Sequence, residues 1–380
     1  MNPWWSRAGR PGRATTSPWW PSCRLRRDPT IGRTIGSVES SAIPTVDIGA
    51  FLADETSPGG RGFVAELLTA CHEIGFVQLT GHGIAPTLDQ QVHDVSRRFF
   101  ALPEADRLEI VNTKTPYFRG YTRLGTEHTN GVSDRRDQID IGPEHVPVDI
   151  GPGDPAWMRL RGPNQWPAAV PGMRTVVTEW MAAMAEVGRG VLRALAIGLG
   201  QPPELFDPVV DDDPEVLVKI IRYPAAAPGE HGDQGVGAHH DSGLLSFIHQ
   251  DDAGGLEVLV GDRFVPAPRE PGAYVLNLGE MLQLATNGYL RATEHRVVSP
   301  ASGVERISVA YFFNPCMAST LGPIDLPPEL AARAPGGQNA RAGDPVFATY
   351  GDNWLKFRLR SHPDVAEIHH PDLVGLISSA

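Results

Sequence analysis

From Ile43 onward the apolar positions follow two rhythms, and the change between them near Pro203 divides the chain. In the first part Phe63, Val64, Leu67, Leu68, Cys71 and Ile74 recur at helical spacing, and FVQLT after Gly75 has strand character. Pro86 opens a second helix with Leu88, Val92, Val95 and Phe99 along one face, and Pro103 marks its end. Pro and Gly then dominate to about residue 172, which predicts long surface connections. Val177, Trp180, Met181, Met184, Val187, Val191 and Leu195 follow as the apolar stripe of a long third helix. After Pro203 short apolar runs alternate with turn residues: VLVKIIRY, LLSFIHQ, GLEVLV, FVPAP, AYVLNL, RATEHRVVS and RISVAYFF. Such spacing predicts an antiparallel double sheet rather than alternating strands and helices. Tyr350, Trp354 and Phe357 predict a closing helix. The expected fold class is therefore mixed α+β with a mainly β core, a double-stranded β-helix (jelly roll) with flanking helices. Its expected parts are a helical and mixed region over 43–200, the jelly-roll core over 201–320 and a closing segment over 321–380.

Composition adds limits. The 41 Gly and 35 Pro suit a fold of many short strands joined by turns. Three cysteines, Cys23, Cys71 and Cys316, are too few and too far apart for a disulfide framework, so a reducing, cytoplasmic location is expected. Residues 1–37 hold seven Arg against one Asp, whereas the whole chain carries −12, so the remainder is strongly acidic. The twin Arg26 and Arg27 invite an export reading, but no apolar stretch follows them. Residues 1–42 are expected to be a disordered tail or a stretch ahead of the true start. The acidic body argues against a nucleic-acid partner, and no run of ~18 apolar residues spans a bilayer. A small molecule is the expected partner, with oligomeric state open.

Candidate chemistry centres on His239, Asp241 and His295. Side chains alternate along a strand, so an H-x-D pair puts His239 and Asp241 on one face and turns His240 away, toward a supporting or surface position. His295 lies in RATEHRVVS, where a buried imidazole needs a partner. Two imidazoles and a carboxylate on one side of iron(II) leave coordination positions open for O2 chemistry. Arg306 and Ser308 form a second i, i+2 pair, able with the phenol of Tyr223 to hold a carboxylate; a salt bridge from Arg306 to Glu305 is the competing reading. The His369 and His370 pair lacks this spacing and reads as solvated tail.

The stretch Ile220–Pro315, with AHHDSGLLSFIHQDDAGGLEVL, PGAYVLNLGEMLQLATNGYL, ATEHRVVSP and ERISVAYFFNP, resembles the isopenicillin N synthase-like branch of the iron(II)/2-oxoglutarate-dependent oxygenases. IPTVDIGAF, GFVQLTGHGI, FFALP, FRGYTRLGTE and GPNQWP resemble the region that precedes this catalytic domain, so the likeness spans nearly everything from residue 43. It implies Fe(2+) on His239, Asp241 and His295, and the 2-oxoglutarate C5 carboxylate on Arg306 and Ser308 with Tyr223 assisting. O2 is then the co-reactant and ascorbate a stimulant. The implied reaction oxidises an unactivated C–H bond of a small molecule, by hydroxylation, desaturation or cyclisation, with release of succinate and CO2. Where some relatives carry an Asn, Ile221 stands here, leaving one cosubstrate hydrogen bond to Arg222 or water. Two alternatives stay open: a 2-oxoglutarate-independent iron oxidase of the isopenicillin N synthase type, which the IRYP segment resembles, and a non-catalytic binding protein on the same fold. Phe118, Arg119, Tyr121 and Arg123, with Phe247, Leu256 and Phe313 as apolar wall, are the expected substrate contacts, Arg119 meeting either an acidic substrate or Glu127.

Overall fold

In a computed structural model that describes residues 43–225, 234–301, 303–336 and 346–377, two sheets pack against each other. The basic segment 1–42, expected to be a tail, lies outside the described residues. The strands are β1 (Thr45–Asp47), β2 (Phe76–Thr80), β3 (Gly120–Thr122), β4 (His128–Thr129), β5 (Val132–Ser133), β6 (Asp137–Ile141), β7 (Pro214–Tyr223), β8 (Gln234–His239), β9 (Leu245–Gln250), β10 (Leu256–Val260), β11 (Arg263–Pro266), β12 (Tyr274–Leu278), β13 (His295–Val298) and β14 (Arg306–Cys316). Among the described residues an eight-stranded sheet runs β1-β2-β12-β9-β14-β7-β6-β3, a four-stranded sheet runs β11-β10-β13-β8, and β4-β5 form a separate hairpin. The large sheet and the four-stranded sheet are the two layers of the expected jelly roll.

The large sheet is covered on both faces, which is why its strands read as near-continuous apolar runs. On β14, Ile307, Val309, Tyr311 and Phe313 join the cluster built on the helix Met173–Gly198. Ala310 and Phe312 point the other way, into a second cluster with Tyr223, Val236, Leu256 and Val297 between the sheets. The long helix presses closely enough that a Cβ on Gly188 would lie 2.7 Å from the Phe313 ring, so only glycine fits there. Helix Pro58–Glu73 begins with Ser57 Oγ accepting from Gly60 N at 2.9 Å and Pro58 in the first turn. The closing helix occupies Tyr350–Ser361.

The stretch before residue 172 departs from expectation. Rather than lying wholly in surface connections, Gly120–Thr122 and Asp137–Ile141 complete one edge of the large sheet, and all five residues of β6 are buried. The sequence hides this strand because two of its five buried residues, Asp137 and Asp140, are acids with distant counter-ions. Asp137 accepts from Arg222 Nη2 at 2.7 Å and Arg107 Nη1 at 2.9 Å, and Asp140 from Arg358 Nη1 at 2.7 Å. Burial alone would raise the Asp140 carboxyl, but Lys219 and Arg358 outweigh it and hold the group below its usual range. His370 is likewise no solvated tail: it is 1 % exposed, stacks on Phe118 and bonds through Nε2 to Pro116 O at 2.9 Å.

One pair gives the fold an acid limit. His93, on the helix Pro86–Phe100, meets His249 on β9 at 2.8 Å between Nε2 and Nδ1. Burial, with His249 and Arg97 adding, pushes His93 down to about 3 from 6.5. Native His93 is thus neutral where the unfolded chain takes up a proton, so its contribution is whole above about pH 6.5 and is lost as pH falls toward 3. The expected slope is at most about 1.4 kcal/mol per pH unit from this residue. Urea midpoints between pH 7 and 4 should fall less steeply in His93→Gln than in the parent; equal slopes would remove His93 as the cause.

Candidate metal centre

Antiparallel register brings the two imidazoles together. His239 ends β8, His295 opens β13, and the two face each other as a register pair with ring centroids 4.3 Å apart. Asp241 lies two residues past the end of β8, so a turn rather than strand alternation delivers its carboxylate; its carbonyl accepts from Glu280 N at 2.7 Å and pins that turn. Each imidazole is oriented by the carbonyl two residues before it, His239 Nδ1 to Gly237 O at 2.8 Å and His295 Nδ1 to Thr293 O at 3.1 Å. A carbonyl only accepts, so Nδ1 carries the proton and Nε2 presents its lone pair. His239 Nε2 is 3.6 Å from Asp241 Oδ1, and His295 Nε2 is 3.8 Å from Oδ2. One ligand atom from each of the three falls within 4.8 Å of the others, the sole such group among the described residues. Burial, reinforced by His295, presses His239 down to about 3, so it is neutral and ready to ligate at neutral pH. Burial would raise the Asp241 carboxyl, but the two histidines and the hydrogen bonds from Asn277 and Ser246 keep it below its usual range.

Arg306 starts β14 opposite Tyr223, and its guanidinium lies 4.7 Å over that ring. The side chain is 1 % exposed, yet its contacts are neutral and long: Ser308 Oγ at 3.3 Å and Gln250 Oε1 at 3.4 Å, with Nε unpartnered. Among the described residues no acid pairs with it, and Glu305 turns instead to Arg222 at 3.7 Å. A buried guanidinium without a counter-ion costs several kcal/mol, so this arrangement fits a carboxylate ligand and not the structural salt bridge.

A cavity of about 560 Å³ opens on the metal group. It takes His239 from the end of β8, His240 and Asp241 from the turn after it, Leu217 and Lys219 from β7, Phe312 and Asn314 from β14, the β4-β5 hairpin and Trp354 and Phe357 from the closing helix. Side chains on one strand face repeat every second residue, so Phe312 and Asn314 share a face with Arg306 and Ser308, roughly 26 Å from Arg306 to Asn314 at about 3.3 Å per residue. Part of the cavity wall is charged but internally balanced: Lys219 Nζ lies 2.6 Å from Glu127 Oε1, and Arg136 Nη2 lies 3.3 Å from Glu127 Oε2 and 3.1 Å from Asp134. Burial draws the Lys219 ammonium below its usual range despite Asp140 and Glu127.

The chain matches two family models, the non-haem dioxygenase in morphine synthesis N-terminal family over residues 43–169 and the 2OG-Fe(II) oxygenase superfamily over residues 215–315. A homoarginine-6-hydroxylase of Glycine max is 35 % identical over 302 residues, which cover 76 % of this chain and 90 % of that protein. The 2-oxoglutarate-dependent dioxygenase frbJ of Dothideomycetidae sp. is 33 % identical over 341 residues, covering 86 % and 91 %. The chain belongs to the 2OG-Fe(II) oxygenase superfamily. Among solved structures, a 2OG-Fe(II) oxygenase family protein of Caulobacter crescentus superposes with TM-score 0.67 at 27 % identity over 84 % of this chain and 99 % of that one. A full-length Neurospora crassa protein solved in complex with alpha-KG superposes with TM-score 0.65 at 26 % identity over 78 % and 93 %.

This 2OG-Fe(II) oxygenase is accordingly a non-haem iron enzyme that uses Fe(2+), 2-oxoglutarate and O2, which sets aside both the cosubstrate-independent oxidase and the non-catalytic reading. No described helix is long and apolar enough to cross a membrane.

None of the seven expected substrate contacts lines the cavity. Phe313 and Phe247 belong to the cluster on the helix side of the large sheet, the wrong face of their strands. Leu256 lies between the sheets, packed with Val236 and Val297. Arg119 pairs with Glu215 at 3.0 Å rather than with Glu127, and Phe118 is fully buried beneath Arg358 and His370. Tyr121 donates to Asp137 at 2.8 Å, and exposed Arg123 sits 3.5 Å from Glu104. The wall residues that sequence reasoning missed carry a signal in strand parity: Leu217 and Lys219 precede Tyr223 by even steps, as Phe312 and Asn314 follow Arg306.

Proposed function

We propose that His239, Asp241 and His295 hold the iron, that Arg306, Ser308 and Tyr223 hold the distal carboxylate of 2-oxoglutarate, and that the enzyme hydroxylates a small amino-acid-like molecule in the adjacent cavity. The observation that carries the reading is the convergence of two Nε2 lone pairs and a carboxylate on one point, together with a buried guanidinium that has no acidic partner among the described residues. The donor set suits iron(II): nitrogen and oxygen ligands in a group of three, with further positions left open. Bound iron and cosubstrate supply O2 activation coupled to decarboxylation of 2-oxoglutarate to succinate and CO2.

The chain's own residues do the rest. Gly237 and Thr293 carbonyls orient the imidazoles; Arg306 offers a charged fork and Ser308 a hydroxyl on the same strand face. Trp354 and Phe357 line the cavity and give it apolar wall beside a C–H bond to be attacked. Substrate class rests on relatives named for homoarginine hydroxylation, beside a cavity wall that carries charges of both signs in Glu127, Lys219 and Arg136. Succinate release in the presence of iron(II) and 2-oxoglutarate should rise at least about tenfold on adding homoarginine or a related basic amino acid, with a product about 16 mass units heavier from one inserted oxygen. Equal succinate with and without every amino acid tried would overturn the substrate class while leaving the iron reading standing.

A further inference from the structure

AYVLNL is an apolar strand interrupted by one amide, and the interruption has a destination. Asn277 on β12 and Ser246 on β9 are a register pair, directly opposite each other on neighbouring strands of the large sheet. Both are almost wholly buried, 0 % and 2 % exposed. Asn277 Nδ2 donates to Asp241 Oδ2 at 2.7 Å, and Ser246 Oγ donates to the same oxygen at 2.5 Å. Among the described residues no hydrogen bond reaches Asp241 Oδ1, 3.6 Å from His239 Nε2, whereas Oδ2, 3.8 Å from His295 Nε2, accepts both donors. The amide orientation is dictated by the carboxylate, which accepts only, and it leaves Asn277 Oδ1 buried without a partner. Core packing would be better served by an apolar residue, since an unpartnered buried carbonyl is destabilising.

Resting on the ligand assignment above, we infer that Ser246 and Asn277 are positioning residues that occupy one oxygen of Asp241, so that the carboxylate meets the metal through Oδ1 alone. Asp241 stands in the turn after β8, a strand of the small sheet, whereas its two donors stand on the large sheet. The clamp therefore fixes the ligand across the space between the sheets, where backbone pairing alone does not reach it. A single-oxygen grip fills three protein positions and keeps the others for cosubstrate and O2; a carboxylate free to turn would take a further position through its second oxygen.

Cobalt(II), whose visible absorption reports coordination number, tests this without turnover. The full-length protein is titrated with cobalt(II) as wild type, Asn277→Ala, Ser246→Ala and Asp241→Ala, with Ser96→Ala as a control that removes a buried hydroxyl bonded to Val92 O elsewhere. Asn277→Ala and Ser246→Ala are expected to bind cobalt about 10–100-fold more weakly and with altered band positions and intensity, while Ser96→Ala keeps the wild-type affinity and spectrum. A merely structural role would lower the melting temperature and leave the spectrum alone. Wild-type spectra and affinities in both Asn277→Ala and Ser246→Ala overturn the clamp and leave the ligand assignment intact. Undiminished binding in Asp241→Ala overturns the assignment and the clamp with it. Two independent donors are tested, so loss of folding in one variant leaves the other to decide.

Discussion

His239→Ala and Asp241→Ala are each expected to reduce 2-oxoglutarate-dependent succinate formation to background. Removing a hydrogen-bond partner of a metal ligand typically costs about 10–100-fold in affinity or activity, and removing a ligand itself exceeds that. The geometry offers no substitute: among the described residues only these two and His295 form a metal-sized group. The Asp241 variant carries an added penalty, because Asn277 and Ser246 lose their shared acceptor. Anaerobic iron(II) titration alongside succinate measurement separates lost binding from lost folding. Undiminished turnover in either variant would refute the ligand assignment.

The second large effect belongs to Arg306. Arg306→Ala should raise the KM for 2-oxoglutarate by about 100-fold, since truncating one partner of a buried charge pair costs about 2–5 kcal/mol and each 1.4 kcal/mol is tenfold. The rise in KM should exceed any fall in kcat, because the proposed contact is with the end of the cosubstrate remote from the reacting atoms. Arg306→Lys should fall between, keeping the charge but losing the fork that matches a carboxylate. Thermal melting gives an independent reading: added 2-oxoglutarate should raise the melting temperature of the wild type and leave Arg306→Ala unmoved at the same concentration. An unchanged KM would assign the cosubstrate to other residues.

Legibility of the sequence followed the type of interaction that stabilises each segment. Where burial of apolar surface decides, periodicity sufficed: the helix from Met173 to Gly198 and the strand from Arg306 to Cys316 both stand where their patterns place them. Where buried charge decides, it did not. Asp137 and Asp140 read as solvated, because nothing local announces that Arg222, 85 residues on, and Arg358, 218 residues on, neutralise them. Strand parity chose His239 over His240, yet the same argument failed for Asp241, which a turn places. The substrate wall was misread for a related reason: chemical type singled out Phe247 and Phe313, whereas the face of the strand determines which side chains meet the cavity. Lys219, one step of parity from Ile221, lies within VLVKIIRY and faces the cavity.

Arg358 ties the closing helix Tyr350–Ser361 to segments more than 200 residues earlier, through Asp140 and the carbonyl of Phe118. Trp354 and Phe357 on that helix also wall the cavity. Until that helix is made, Asp140 has Lys219 at 3.7 Å but lacks Arg358, and the reaction chamber is missing one side. Docking of one helix supplies both, so the chamber gains Trp354 and Phe357 along with the second cation at Asp140 of the buried strand.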